Sequence, residues 1–148
     1  MAYGHAVDPR LSEGTLSKRF FGYLIDLVVI FIISAILWVV IGVFGVITLT
    51  LGWALLPLVA LVPIVYNAVT VGGPAQATIG QRIMVLRAVD ALTGGRVNWV
   101  MAAAHALLFY VAATTFFLWV VDIGLGMVRR DRRLGHDLLT NIAFVRTA

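Results

Sequence analysis

The sequence predicts an all-α membrane protein with about three hydrophobic helical segments, a short β-prone or amphipathic surface loop and a C-terminal interfacial segment. Two observations predict it. Hydrophobic residues make up 61% of the chain and charged ones 12%, with a mean hydropathy of +1.01, whereas a soluble domain carries about one quarter charged residues. The basic residues that give the net charge of +4 gather in three clusters, and the apolar runs lie between them: Arg10, Lys18 and Arg19; Arg82, Arg87 and Arg96; then Arg129, Arg130, Arg132, Arg133 and Arg146. Such basic edges read as topology determinants and as contacts for the anionic headgroups of a lipid bilayer, not as a nucleic-acid surface. The chain has no cysteine, which excludes disulfides, thiolate metal sites and Cys nucleophiles.

Residues 1–17 are polar, with Gly4, Pro9 and Gly14, and read as a flexible tail; residues 18–148 read as a single transmembrane domain. Lys18-Arg19 followed by an apolar run resembles the start of a signal peptide, but the run is far longer than a 7–15-residue h-region and has no A-x-A end, so it is a retained first span. Residues 20–43 suffice for one crossing and 47–69 for a second. The turn between them carries no charge, as expected on the side opposite the basic clusters. Pro57 and Pro63 predict a kink in the second span.

Thr78-Ile79-Gly80-Gln81 fits a capping box and predicts a short helix. Val85–Asp90 and Arg96–Trp99 are β-prone and flank Thr93-Gly94-Gly95, which predicts a local hairpin. Asn98 is the expected N-cap of a third apolar segment over 99–121. No Gly or Pro interrupts that segment, so one continuous helix is the simplest reading. It creates a conflict, because a third full crossing puts Arg129–Arg133 on the side away from the other basic clusters. Three resolutions are open: a bent, re-entrant segment, an outside N-terminus, or a broken rule. Ala102, Ala106 and Ala113 share a face suited to close helix contact. Residues 134–146 are too short to span and too apolar for a free tail, so they lie in the interface or fold back on the bundle.

Two charges mark the first run. Arg19 and Asp26 are seven residues apart, within about 20° of one helix face, with Tyr23 between them. A carboxylate inside a span costs about 2.5–3.5 kcal/mol on insertion scales and is by default a functional-site hypothesis. His105 is either a histidine hydrogen-bonded in a helix interface or a group that handles protons or ions. Asp122 is expected to pair with the arginines that follow it. Ser34, Thr114 and Thr115 have no base at a recognisable spacing, and His5, His105 and His136 are scattered without a metal-ligand pattern. Gly124-Leu125-Gly126 is half a dinucleotide fingerprint and reads as a flexible helix exit. No catalytic residue, cofactor or metal is therefore expected.

Three motifs now combine. Arg19-Phe20-Phe21-Gly22-Tyr23-Leu24-Ile25-Asp26, then Thr78-Ile79-Gly80-Gln81-Arg82 leading to Leu86-Arg87-Ala88-Val89-Asp90, and Arg132-Arg133-Leu134-Gly135-His136-Asp137-Leu138-Leu139-Thr140 resemble the RDD family over about residues 17–147. The family's small bacterial membrane proteins are named for one arginine and two aspartates. The resemblance places these at Arg19, Asp26 and Asp137, with Asp90 a weaker candidate for the last, and His105 stands where the family usually has a basic residue. It implies a multi-pass protein of the bacterial cytoplasmic (inner) membrane and a role in transport, cation/proton antiport having been proposed for some members.

Burial of Asp26 favours its neutral form and a neighbouring Arg19 or Arg82 its charged form, the balance that proton-coupled cation exchange requires. His136 and Asp137 are expected near the interface as an entrance or as the rest of the network. The rival is a structural Arg–Asp lock in a non-transporting accessory or assembly protein, with Trp38, Trp53, Phe109, Phe116, Phe117 and Trp119 against lipid and partners. So few spans enclose no pathway alone, which predicts a homo-oligomer or a subunit of a larger membrane complex.

Overall fold

In the computed structural model, residues 7–147 are described. Helix α1 (Thr15–Ile47) runs for 33 residues, about 50 Å at 1.5 Å per residue. Its buried residues include Gly22, Asp26, Ile30, Ile41 and Gly45, a narrow stripe at helical spacing, while Phe31, Trp38, Val46 and most others are exposed. This is the pattern of a helix surrounded by lipid that touches its own chain along one face.

The hydrocarbon layer is about 30 Å thick and holds about 20 helical residues. Counted back from the turn at Thr48–Thr50, it ends near Leu27, so Asp26 lies at its boundary and Arg19 beyond it. At the turn the Cβ of any larger residue at Gly45 would overlap the Trp53 ring. The chain then returns as a 3-10 segment (Leu51–Leu61) that leads directly into α2 (Val62–Val71). The proline kink thus takes the form of tighter winding: Pro57 lies within the 3-10 turns, and Pro63 sits in the first turn of α2, where its missing N–H breaks no bond. Both Thr15–Ile47 and Leu51–Val71 are long and apolar enough to cross a membrane.

The third apolar segment is not one helix. It divides into α4 (Trp99–Thr114) and α5 (Phe116–Val128), bent by 120° at Thr115. Two β-branched residues stand where Gly or Pro is usual. Thr114 donates its hydroxyl to the Val111 carbonyl, and Thr115 is extended (φ −111°, ψ 97°), so backbone and side chain both leave the helix there. Gly124 and Gly126 belong to α5 and are not a loop; Gly126 admits the Leu134 side chain. Asn98 caps α4 through the Met101 amide as expected. Ala102 and Ala106 are buried, and α4 packs on α2 where Gly72 meets the Trp99 backbone, whereas Ala113 is exposed.

At one end of these helices lies a small platform of two similar units. Helix α3 (Ile79–Ile83) leads through Val85 to β1 (Leu86–Asp90), and α6 (Gly135–Leu139) leads through Asn141 to β2 (Ile142–Arg146). Val85 and Asn141 both adopt positive φ, 58° and 52°. The strands pair antiparallel, Leu86 with Arg146, Ala88 with Phe144 and Asp90 with Ile142. Each residue of the first unit therefore corresponds to the one 56 positions later, and the pairing is symmetric about Ala88 and Phe144.

The expected hairpin between Val85–Asp90 and Arg96–Trp99 does not form. Gln76 takes the partner's place at Val97: its Nε2 donates to the Val97 carbonyl (2.8 Å) and its Oε1 accepts from the Val97 amide. Ala88, Val97, Ile142 and Phe144 join Val71 and Ala102 in the core beneath the sheet. The C-terminal segment thus folds back on the bundle. Of the 1–17 tail, residues 1–6 lie outside the described residues; Val7 packs against the cluster of Val89, Ala91, Ala143 and Val145, a 3-10 turn (Pro9–Ser12) precedes α1, and α1 itself begins at Thr15.

Because β2 pairs with β1, and α6 reaches the start of α1, the chain ends where it began. The three basic clusters then share one end, and the bend at Thr115 removes the topology conflict. In the cysteine-free chain, single cysteines at Arg87 and Thr147 should be labelled by a membrane-impermeant thiol reagent from the same face, and one at Thr50 only from the opposite face. Labelling of Thr147→Cys together with Thr50→Cys would exclude the returning α5.

Candidate functional site

Asp26 is buried and accepts three hydrogen bonds, none from an arginine. Tyr66 Oη (2.7 Å) and the Gly80 amide (2.8 Å) donate to Oδ1, and Thr78 Oγ1 (2.6 Å) donates to Oδ2. The carboxylate therefore caps α3 from another helix. The cap needs glycine at position 80, since a Cβ there would overlap the Gly22 carbonyl and crowd the Asp26 carboxyl group, and a Cβ at Gly22 would in turn press on the Gly80 backbone. The expected capping box is present beneath it: Gln81 accepts from the Thr78 amide (2.9 Å) and Thr78 Oγ1 from the Gln81 amide (3.1 Å).

The second unit repeats this arrangement with different residues. The His136 amide donates to Asp122 Oδ1 (2.8 Å), as that of Gly80 does to Asp26, and Asp137 Oδ2 accepts from the Leu134 amide (2.9 Å), as Gln81 accepts from Thr78. Asp137, however, is also the centre of an ionic cluster. Arg19 grips it with two bonds, Nη1 to Oδ2 (2.5 Å) and Nη2 to Oδ1 (3.0 Å), and stacks its guanidinium 4.3 Å from the centre of the Phe144 ring. His105 Nε2 lies 2.7 Å from Oδ1 and His136 Nε2 3.4 Å from it, while His136 Nδ1 meets both Asp122 oxygens (2.9 and 2.8 Å). Arg133 donates to the carbonyls of Asp137 and Ile142, tying α6 to β2.

Asp137 has no exposed surface. Burial by itself pushes its carboxyl up, but the Arg19 charge, with the hydrogen bond from His105 and the nearby His136, holds it well below the usual carboxylate range. A depressed carboxyl stabilises the fold at all pH values above the ordinary carboxylate pKa, and that contribution is lost only as the pH falls into strong acid.

Arg19 and Asp26 share a helix but not a bond: the arginine crosses to α6, 118 residues away, and the aspartate turns to α3. Arg82, expected beside Asp26, is exposed and outside the network. His136 and Asp137, expected at the interface, are buried. Asp122, expected to pair with the arginines beyond it, pairs with His136, while Asp131 takes Arg129 (2.9 Å). Asp90 closes a surface turn by accepting from the amides of Leu92 and Thr93, far from the role of second aspartate. Asp122 is the functional candidate that sequence reading missed; its signal was an acid 14 residues before a histidine, too common a spacing to single out.

Arg19, Asp26, His105, Asp122 and His136 line one partly open cavity of about 380 Å³, with Tyr23, Asn67, Phe109 and Trp119 among its other walls. The nearest ligating atoms of His105, His136 and Asp137 lie within 4.8 Å of one another, close enough to hold a metal ion.

The model of the RDD family matches residues 14–141. The chain belongs to the RDD family. No curated protein and no solved structure matches it. In this RDD chain the arginine and the two aspartates found in the sequence do not form one triad. They make two caps, one on each platform unit, and the arginine serves the second.

Arg19→Met leaves Asp137 buried without its counter-ion, which should cost about 3–5 kcal/mol. Arg19→Met with Asp137→Leu should recover most of that loss. Thermal unfolding of the purified protein in detergent measures both; a single variant as stable as the wild type would show that the pair holds nothing together.

Proposed function

We propose that this RDD-family protein exchanges small cations for protons across the bacterial inner membrane. The observation that supports the reading best is the position of Asp26, a buried carboxylate at the boundary of the hydrocarbon layer that forms part of the wall of a cavity. Around it stand Thr78 Oγ1 and Tyr66 Oη, and Asn67 lines the same cavity. Hydroxyls donate to a carboxylate or turn their lone pairs toward a cation, and an all-oxygen set suits a hard ion. On this reading a cation and a proton compete for Asp26, and the cavity is the waiting place. Two spans and a returning segment enclose no pathway, so a second copy completes it.

In inside-out vesicles, Asp26→Asn should lower cation-dependent proton release at least tenfold while protein accumulation stays normal. Undiminished release at normal protein level would sink the transport reading.

A second reading has its own support. Among the described residues, every buried polar side-chain atom has a hydrogen-bond partner, as a purely structural lock requires. The protein is then an accessory or assembly factor, with the exposed Trp38, Trp53, Phe116 and Phe117 against lipid or a partner. Native mass measurement after mild extraction separates the two: transport predicts a homo-oligomer, and the accessory role predicts a foreign protein in fixed stoichiometry.

A further inference from the structure

His136 poses a problem of proton placement. Its Nδ1 meets the Asp122 carboxylate at 2.8 Å and must carry a proton there. In a neutral ring Nε2 is then a bare lone pair, and it faces Asp137 Oδ1 at 3.4 Å. Two electron-rich atoms held face to face in a buried site call for a positive centre between them. His105 Nε2 approaches the same oxygen from α4 at 2.7 Å, and the rings of the two histidines lie 4.6 Å apart.

We propose that His105 Nε2, His136 Nε2 and Asp137 Oδ1 form a binding site for a divalent transition-metal ion, with zinc as its natural size and type. Two imidazoles and a carboxylate are a donor set for zinc and its neighbours in the first transition row, and a poor one for sodium, magnesium or calcium. The spacing suits it. Two bonds of about 2.1 Å at a tetrahedral angle set ligand atoms about 3.4 Å apart. His136 Nε2 and Asp137 Oδ1 already stand at that distance. His105 Nε2, 2.7 Å from the oxygen, has to draw back by a fraction of an ångström and carry its proton on Nδ1 instead.

The support around the ligands points the same way. Asp122 grips Nδ1 of His136 through its carboxylate, the outer contact that fixes the tautomer and aims the other ring nitrogen at a metal. The Gly135 position is cut to fit that carboxylate, since a Cβ there would crowd Asp122 Oδ1. Both histidines line the cavity, which supplies a way in and room for a water or an exchangeable fourth ligand. Arg19 is the competitor: its shorter bond is to Oδ2, and the ion takes a share of Oδ1 from Nη2. Affinity should accordingly be micromolar and not that of a closed structural zinc site. This site is separate from Asp26 and its oxygen donors, and occupancy here does not require that anything cross the membrane.

The test is a titration of Zn²⁺ by calorimetry, and of Co²⁺ by visible absorption, into the full-length protein purified in detergent and stripped with a chelator. One equivalent should bind, with Co²⁺ bands of a four- or five-coordinate nitrogen and oxygen site. His136→Ala and His105→Gln, the latter keeping a donor to Asp137 and hence the fold, should each weaken binding at least 100-fold. Asp122→Asn should weaken it about 10- to 100-fold at unchanged stoichiometry, and His5→Ala should leave it untouched. No saturable binding by the wild type, or binding that survives in His105→Gln and His136→Ala alike, overturns the proposal.

Discussion

A carboxylate sealed from solvent has to be compensated, and in this protein the compensation of Asp137 joins the two ends of the chain. Isolated, that charge would be untenable; with Arg19 bidentate, His105 at 2.7 Å and the Leu134 amide on its other oxygen, it is fully used. Those donors come from α1, α4 and the loop before α6. Satisfying one aspartate therefore requires that the first helix, the returning helix pair and the C-terminal platform unit all be in place. A charge cluster of this kind acts as a specification more than as a source of stability, since it admits one arrangement and penalises every other.

Asp26 plays the corresponding part for the other unit, with softer means. Among the described residues it has no ionic partner, only two hydroxyls and an amide, and it depends on the bare backbones of Gly22 and Gly80 to come close enough. One half of the platform is thus fastened by charge and the other by close approach. The half with neutral donors has side chains that can turn without breaking an ion pair.

What was legible in the sequence was local. The capping box at Thr78 and Gln81 and the cap at Asn98 are fixed by contacts three residues apart, and both stand as read. The two crossings followed from apolar length, and the C-terminal segment could be seen to need cover. What was not legible depends on distance or on the absence of the usual mark. Strand β1 found its partner more than fifty residues on while Gln76 took both backbone groups of Val97, and periodicity cannot reveal a side chain that acts as a strand. The bend at Thr115 has neither proline nor glycine. Arg19 and Asp26 share a helix face, which suggested a pair, but each is drawn to a different short helix by partners unseen at that spacing. His105 and His136 looked scattered for the same reason: 31 residues separate two rings that meet at one oxygen.

The pairing of Arg19 with Asp137 also sets an order of events during synthesis. Arg19 leaves the ribosome 118 residues ahead of the carboxylate that neutralises it, and β1 is made long before the strand that covers its edge. The first two helices must therefore wait in the membrane with an arginine unpaired and a strand edge open until the last segment is released. A chain cut short before α6 keeps both spans and β1 but lacks the carboxylate that Arg19 grips.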